Sequence, residues 1–311
     1  MSNKENPSII FMGTPEFGIP AMKKIHAEYG IKAVITAPDK PKGRGKKVMP
    51  SPVKKAAVAM DIPVLQPAKM KDTDFLEKLY ALEPDIICII AFRILPEAVW
   101  SASKLGTFNI HASLLPRYRG AAPINWAIIN GEKTTGLTSF LLAQKVDTGN
   151  ILLQHKIDIP EGATAGDLHD LMMPVSADMA LQTCRLLLSG DYTTYQQDHS
   201  QATPAPKIFT DFCKIKWNLH AKDLRNFIHG LSPYPGAWTM WDDKRLKILR
   251  TEFTACGTGE PGTFFIENDK LFVYGLKGLI SVTELQLQGK KPMRTSDFLK
   301  GYRGEKSGKF L

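Results

Sequence analysis

Apolar runs alternate with segments of helical periodicity over the first 190 residues. The strand-like runs lie at 8–12, 31–37, within 62–67, 85–92 and 106–112. The helical segments follow the GTPEFG turn up to Tyr29 and then lie at 52–60, 72–84 and about 165–188. The run DIICIIAF (85–92) has the apolar character of a central strand covered on both faces. This alternation predicts an α/β domain with a doubly wound, Rossmann-like, mostly parallel sheet.

The pattern changes after residue 189. Residues 190–207, GDYTTYQQDHSQATPAPK, are polar and contain two closely spaced prolines, which is typical of a linker. A helix is predicted at 221–231, and short alternating runs follow near 238–241, 246–255, 262–266, 271–275 and 279–287. Several short strands separated by turn residues predict a small C-terminal β-barrel, OB-like in type. We therefore predict one domain over 1–189, a linker over 190–207 and a β-barrel domain over 208–311.

Composition narrows the class of protein. The chain has 43% hydrophobic and 23% charged residues, which is ordinary for a globular protein. Its longest apolar run, IICIIAF, is far shorter than the roughly 20 residues of a membrane span. The first residues, MSNKENPS, lack the apolar core of a signal peptide. The four cysteines are far apart, so neither a zinc site nor a disulfide framework is indicated. We expect a cytoplasmic protein with no membrane segment and no metal.

Positive charge is concentrated in two places. The formal net charge is +9, and residues 207–311 hold 18 of the 40 Lys and Arg but only 11 of the 31 Asp and Glu. Residues 40–55 add seven basic residues and no acidic one. Clustered cations gain affinity for polyanions by releasing counterions from phosphates, so nucleic acid is a candidate partner. A solvated surface loop explains the basic stretch KPKGRGKKVMP (40–50) equally well on composition alone.

Candidate chemistry begins where the strand at 106–112 ends. Asn109, His111 and Ser113 are spaced by two residues, so their side chains share one face if the strand continues. Ligands of open α/β sheets bind at the carboxyl ends of the strands, which is where this polar set lies. The spacing predicts a site here, although an Asn and a His that only satisfy loop backbone groups fit it as well.

A carboxylate in a later turn is a second candidate. Asp147 opens an Asp-Thr-Gly turn within KVDTGNILLQHKIDIP (145–160), and a strand is predicted after it. Aspartate in this position serves as a turn former, a helix cap or a general base. The residues alone leave these three roles open.

Several motifs together resemble those of a known family. NIHASLLPRYRGAAPINWAI (109–128) and DTGNIL (147–152) are similar to the folate-dependent formyltransferases. GTPEF (13–17), PDKPKGRGKKVMPSPVK (38–54) and GKKPMRTSDFLKG (289–301) resemble the branch of that family that acts on an aminoacylated tRNA. The resemblance runs from Ile9 to about Gly301. It implies that the first domain is catalytic and that the β-barrel domain binds tRNA.

The resemblance also implies site residues. By position, the catalytic Asn, His and Asp of the family correspond to Asn109, His111 and Asp147. The expected contacts to folate are Arg93 and Leu95, in the loop AFRILP (91–96), and Ser113, Leu114, Leu115 and Pro116. The expected contacts to nucleic acid are Lys42, Arg44, Lys46 and Lys47 in the basic loop and Lys290, Lys291 and Arg294 in the second domain. For Arg117 and Arg119, the folate tail, a phosphate and neighbouring loops all remain possible partners.

The implied reaction transfers the formyl group of 10-formyltetrahydrofolate, a co-substrate, to the α-amine of initiator methionyl-tRNA. A formyltransferase that acts on a small amine, such as a purine precursor or an amino sugar, is the alternative. The basic loop and the basic second domain favour tRNA, because a small substrate needs neither. We expect a monomer with tRNA and folate as its partners.

Overall fold

The structure, a computed structural model, describes residues 6–42, 47–254 and 257–310. Arg44 and Lys46, two of the predicted nucleic-acid contacts, lie outside these residues. The chain divides into two compact units. The first contains the chain up to Arg119, Gly136–Ile157 and Asp170–Pro204, and the second contains Gly120–Thr135, Asp158–His169 and the chain from Ala205 onward. The domain limits of 189 and 208 stay a prediction from sequence.

Strands and helices alternate over the first 190 residues, as the apolar pattern predicts. The strands are β1 (Ile9–Gly13), β2 (Ala33–Ile35), β3 (Lys40–Lys42), β4 (Lys47–Met49), β5 (Val64–Leu65), β6 (Ile86–Ile90), β7 (Gly106–His111), β8 (Thr134–Leu141) and β9 (Ile151–Asp158). The helices are α1 (Ile19–Tyr29), α2 (Pro52–Val58), α3 (Thr73–Ala81), α4 (Glu97–Trp100), α5 (Pro123–Ile129) and α6 (Ala165–Ser189).

The central sheet has the order β5-β2-β1-β6-β7-β8-β9. The first five strands of that order are parallel, and β8 is antiparallel to β7. Every residue of β1 and β6 is buried, as expected for strands covered on both faces. The prediction of a mostly parallel α/β sheet is confirmed. Because β1, β6 and β7 are parallel neighbours, their carboxyl ends lie at one edge of the sheet.

Side-chain caps fix where two of the helices begin. The Ser51 hydroxyl accepts a hydrogen bond from the Lys54 N–H, and the Asp72 carboxylate accepts one from the Phe75 N–H. Each bond satisfies an N–H group that the first helical turn leaves without a partner. Helices predicted at 52–60 and 72–84 accordingly begin within a residue of the structure, but they end earlier, at Val58 and Ala81.

The second unit is built on an antiparallel sheet. After α7 (Ala221–Gly230) come β10 (Ala237–Trp241), β11 (Lys244–Thr254), β12 (Thr263–Glu267), β13 (Lys270–Tyr274), β14 (Leu279–Leu287), β15 (Met293–Arg294), α8 (Thr295–Gly301) and β16 (Ser307–Lys309). The order is β10-β11-β14-β13-β12-β16, with β15 on β14. This half-barrel confirms the predicted small β-barrel type. The Trp241 ring packs in its core against Phe264, Phe298, Tyr302 and Phe310.

The pattern missed several short or amphipathic elements. Strands β3, β4, β8, β15 and β16 and helices α4, α5 and α8 were not predicted. Most of them are seven residues or shorter, so they carry little periodic signal.

Among the helices of the described residues, none combines the length and the apolar character needed to cross a membrane.

A buried histidine ties α7 to β11 in the second unit. The His229 side chain is buried, and its Nε2 accepts a hydrogen bond of 3.0 Å from the Thr251 N–H, which requires an unprotonated nitrogen. Burial, followed by the positive charges of Arg225 and Arg250, lowers the pKa of His229 from 6.5 to about 4. The native state therefore holds this imidazole neutral at pH values at which the unfolded chain binds a proton.

We expect the second unit to lose stability as the pH falls from 6.5 to 4. As the pH falls, the unfolded state binds a proton on His229 before the folded state does. Lowering the pH below about 4 therefore reduces the free energy of unfolding by on the order of 3 kcal/mol. The measurement is denaturant unfolding at several pH values, followed by tryptophan fluorescence. Relative to wild type, His229→Gln should show a shallower loss over this window. Parallel pH curves for the two proteins would contradict the assignment.

Candidate active site

Three loops meet the carboxyl edge of the central sheet, after β1, β6 and β7. Gly13 ends β1 directly beside Ile90, the last residue of β6. A Cβ atom at Gly13 would lie 2.9 Å from the Ile90 carbonyl oxygen and 2.8 Å from the Phe11 ring, so only glycine fits this close approach. The GTPEF motif, which begins with this glycine, therefore forms the turn at the edge where Asn109 and His111 lie.

Asn109 and His111 lie on one face of β7. Asn109 pairs with Ile89 of β6, and His111 pairs with Thr138 of β8. The Oδ1 atom of Asn109 is buried, and no residue in the described part of the chain gives it a hydrogen bond. A buried acceptor without a hydrogen bond lowers the stability of the folded state by about 1–3 kcal/mol, unless a ligand or a water molecule bonds to it. A half-turn of the amide exchanges its acceptor and donor, so the position can offer either to a bound ligand.

The hydrogen bonds of His111 fix its tautomer. Its ring is 6% exposed, and Nε2 lies 2.8 Å from the Tyr118 carbonyl oxygen. Because a carbonyl only accepts, Nε2 carries the hydrogen and the neutral ring has its lone pair on Nδ1. Nδ1 faces the Asp147 carboxylate, whose Oδ2 atom is 3.9 Å away. The unprotonated Nδ1 atom therefore lies beside a carboxylate, at a distance somewhat longer than a hydrogen bond.

Asp147 is turned inward from an exposed loop. Residues 143–146 are exposed, whereas Asp147 is buried and has φ of +54°, a conformation that aspartate tolerates better than most residues. Gly149 makes the turn possible, since a Cβ atom there would lie 1.7 Å from the Leu141 carbonyl oxygen. The Asp-Thr-Gly turn therefore reverses the backbone and also brings the Asp147 carboxylate to His111.

The turn after β7 uses two of its predicted folate residues internally. The Ser113 hydroxyl donates a hydrogen bond of 2.6 Å to the Arg117 carbonyl oxygen. The Leu115 N–H donates to Thr138 Oγ1 at 3.0 Å, and the Leu115 side chain packs with Phe140 and Ile151. Leu114 and Pro116 are half-buried. The structure thus places all four residues at the sheet edge, with Ser113 and Leu115 shaping the turn.

The loop after β6 is fastened to a neighbouring segment. The Arg93 guanidinium donates hydrogen bonds to the carbonyl oxygens of Ala68, at 3.0 Å, and Pro67. Burial lowers the pKa of Arg93. Leu95 packs against the apolar core under the loop, and Ile94 is 76% exposed. In this structure the Arg93 side chain therefore holds the loop after β6 in its conformation.

Five of the predicted nucleic-acid residues lie within the part of the chain that the structure describes. Lys42 ends β3 and Lys47 begins β4, which pair as a short antiparallel hairpin. In the second unit, Lys290, Lys291 and Arg294 are exposed around the connection from β14 to β15, so the structure brings these three together.

Sequence reasoning missed the residues that support the site. Gln197, in the segment predicted as a linker, is 4% exposed and donates hydrogen bonds to the Asp147 and Gly149 carbonyl oxygens. Arg119 donates to Gln197 Oε1 and lies 2.9 Å from His199 Nδ1, so neighbouring loops are partners of this arginine. Burial lowers the pKa of Arg119, and the nearby Asp147 partly offsets that effect. A polar composition hides such contacts, because it is also typical of free linkers.

Comparison with known proteins places this geometry in a class. The first half of the chain matches the formyl transferase family over residues 9–180, and residues 207–303 match the formyl transferase C-terminal domain. An α/β sheet with this polar edge and a half-barrel are thus the parts of a formyl-group transferase, and the chain belongs to the formyl transferase family.

Within the family, methionyl-tRNA formyltransferases are similar to this chain over nearly its whole length. A methionyl-tRNA formyltransferase of Parabacteroides distasonis is 44% identical over 314 aligned residues, which cover 96% of this chain and 97% of the relative. Solved structures share the fold. The sugar 3N-formyl transferase WlaRD has a TM-score of 0.69 at 20% identity, covering 92% of this chain and 99% of that one. Methionyl-tRNA formyltransferase from Clostridium thermocellum has a TM-score of 0.55 at 17% identity, covering 89% and 99%.

Proposed function

We propose that this enzyme transfers the formyl group of 10-formyltetrahydrofolate to the α-amine of initiator methionyl-tRNA, giving formylmethionyl-tRNA for translation initiation. Near-full-length similarity to methionyl-tRNA formyltransferases supports this choice within the family. The structural observation that carries the chemistry is the His111 Nδ1 atom, 3.9 Å from Asp147 Oδ2, with Nε2 tied to the Tyr118 carbonyl.

The reaction needs an oxyanion donor and a proton acceptor. When a neutral amine attacks the formyl carbon, negative charge develops on the formyl oxygen and the attacking nitrogen must lose a proton. The intermediate then collapses: the bond from the formyl carbon to the folate nitrogen breaks, and that nitrogen takes up a proton to leave as tetrahydrofolate. The Asn109 amide supplies a fixed, uncharged donor for that oxygen. We assign the proton of the attacking amine to the His111–Asp147 pair, in which the unprotonated Nδ1 atom lies beside a carboxylate. These roles require no covalent intermediate on the enzyme.

The folate would lie along the loops after β6 and β7. The donor of the formyl group needs an apolar surface for its ring and backbone groups for its edges. Leu95, Leu114 and Pro116, which are partly exposed, supply the apolar surface in this proposal, and the buried Leu115 supports it from beneath. Arg93 and Ser113 hold the two loops in shape, which is supported by their hydrogen bonds to the carbonyls of Ala68 and Arg117. The unsatisfied Asn109 oxygen beside these loops fits the presence of a polar ligand.

The basic residues would contact the tRNA backbone. We assign phosphate contacts to Lys42, Arg44, Lys46 and Lys47 in the first unit and to Lys290, Lys291 and Arg294 in the second. Such contacts position the partner and make binding dependent on salt. The net charge of +9 and the exposure of the three residues near β15 support this assignment.

We further propose that the enzyme acts in the cytoplasm as a monomer. Cys88, Cys184 and Cys213 are buried free thiols, and burial raises the pKa of Cys184 to about 12, so it stays an unreactive thiol. Among the described residues, no group of three or more His, Cys, Asp and Glu side chains could hold a metal ion. Light scattering during size-exclusion chromatography measures the oligomeric state.

A substrate competition assay tests the proposed function. The enzyme is mixed with 10-formyltetrahydrofolate and either charged initiator methionyl-tRNA, free methionine, an amino sugar nucleotide or a purine precursor amine. We expect formylation of the charged tRNA at a kcat/KM at least about a thousandfold above that of each small amine. Preferential formylation of a small amine would replace the proposal by the alternative. No formyl transfer to any acceptor would remove both.

A further inference from the structure

Residues 195–203 are fastened to both halves of the candidate catalytic pair. We call this segment the strap. At its start, Tyr195 and Ile151 exchange two backbone hydrogen bonds of 2.9 and 2.8 Å. At its end, the backbone carbonyl and the side-chain hydroxyl of Thr203 accept hydrogen bonds from the N–H groups of Arg119 and Tyr118, each at 2.9 Å. The polar composition of a linker therefore conceals a segment that is bound at both ends to the catalytic unit.

The strap reaches His111 through Tyr118. The Tyr118 carbonyl oxygen accepts the hydrogen bond of His111 Nε2, and the Tyr118 N–H donates to Thr203 Oγ1. The peptide groups on either side of Tyr118 thus link the strap to the imidazole. A shift of the strap at Thr203 would move the acceptor that fixes the tautomer of His111.

The strap reaches Asp147 through Gln197. The Nε2 group of this buried glutamine donates to the Asp147 carbonyl oxygen at 3.0 Å and to the Gly149 carbonyl oxygen at 2.8 Å. Its Oε1 accepts from the Arg119 guanidinium, at 3.2 Å from Nε. Both donors of the amide are therefore committed to the carbonyls that flank the inward turn of Asp147. An exposed loop that holds a residue at φ of +54° needs such bonds to keep its carboxylate in place.

We infer that Gln197 is a positioning residue for the formyl-transfer reaction, because it holds the turn that keeps the Asp147 carboxylate beside His111 Nδ1. This inference rests on the proposed function and extends it to a residue that touches neither substrate. Misplacement of a reacting group by about 1 Å can cost about a hundredfold in rate. At 3.9 Å the carboxylate already lies just beyond hydrogen-bond distance of Nδ1, so a further shift of the turn would separate the pair.

The test compares three variants with wild type. Gln197→Ala removes both donors, and Gln197→Glu keeps the shape and the acceptor for Arg119 but loses the donors. Gln201→Ala is the matched control, because Gln201 lies on the same strap in an exposed position and its side chain donates a hydrogen bond to the nearby Asp198. We expect both Gln197 variants to lower kcat about tenfold to a hundredfold, with KM for tRNA and folate within about threefold of wild type. The control should keep the wild-type kcat.

A second readout does not depend on activity. The ¹⁵N chemical shifts of the His111 ring report its hydrogen bonds and its tautomer. We expect them to move in both Gln197 variants and to stay unchanged in the control. A purely structural role would lower the unfolding midpoint but leave the kcat of the folded enzyme and the His111 signals at their wild-type values. That result would overturn the inference.

The experiments distinguish a failure of the proposed formyl-transfer reaction from a failure of the proposed role of Gln197. An inactive wild-type enzyme would remove the proposed reaction, and the His111 signals would then decide the positioning role alone. An active wild-type enzyme whose Gln197→Glu variant keeps full kcat would leave the reaction standing and remove the role of Gln197.

Discussion

Replacing Asn109 by Ala should lower the turnover of formyl transfer at least about a hundredfold, with folate binding largely kept. Loss of one oxyanion donor typically costs about 2.7–4 kcal/mol in the transition state. The bound folate loses much less, because the formyl oxygen of the ground state carries little charge. Within the described residues no group hydrogen-bonds to Asn109 Oδ1, so the truncation leaves no partner of that atom stranded.

Three measurements are needed for this variant. Single-turnover rates give the transfer step, calorimetric titration gives the affinity for folate, and thermal unfolding shows that the protein is folded. Asn150→Ala is the matched control, because Asn150 is exposed near the same site and its long hydrogen bond of 3.4 Å joins Thr194. If Asn109→Ala turned over at the wild-type rate, this amide would have no part in the mechanism.

Replacing Asp147 by Asn should cripple turnover by about 10²–10⁴-fold, the contribution typical of a positioned acid–base group. The amide keeps the size of the carboxylate and tolerates the same positive φ. It cannot accept and hold a proton opposite His111 Nδ1. The turn should survive, because its bonds to Gln197 are made by backbone carbonyls. We therefore expect a loss in kcat at every pH tested, with KM values close to those of wild type.

Asp61→Asn is the control for this substitution. Asp61 also has positive φ, at +55°, but it is exposed in a loop after α2. The control separates the effect of the charge at the site from any general effect of placing asparagine at such a backbone position. Wild-type turnover of Asp147→Asn from acid to alkaline pH would rule out a proton role for the carboxylate.

The sequence predicted best those features that depend on residues close together in the chain. The apolar runs β1 and β6 were predicted within one or two residues, because a buried parallel strand leaves few alternatives for such a run. The polar alternation in β7 and the carboxyl-edge rule together indicate Asn109 and His111 from the sequence alone. The Asp-Thr-Gly turn was also visible, but its pairing with His111 followed only from the family resemblance, because 36 positions separate His111 from Asp147 along the chain.

The residues that hold the site in place could not be predicted from the sequence. Nothing in a tract rich in Gln, Thr and Ser marks Gln197 as buried or Thr203 as the acceptor for Tyr118. These contacts join residues 50 and 85 positions apart, and no local periodicity encodes them. Strand β8 was missed for a similar reason, since its TTGLTSFL run mixes Thr, Ser and Gly with apolar residues.

The most direct measurement is a crystal structure of this enzyme with 5-formyltetrahydrofolate, a stable isomer of the formyl donor. We predict that the folate ring lies along residues 91–96 and 113–116, with its reactive nitrogens at the β7 edge and the formyl group beside Asn109 and the His111–Asp147 pair. The Asn109 amide should lie within hydrogen-bond reach of the formyl oxygen or of a water molecule bound to it. A folate bound elsewhere, or one whose formyl group is more than about 8 Å from all three side chains, would contradict the account.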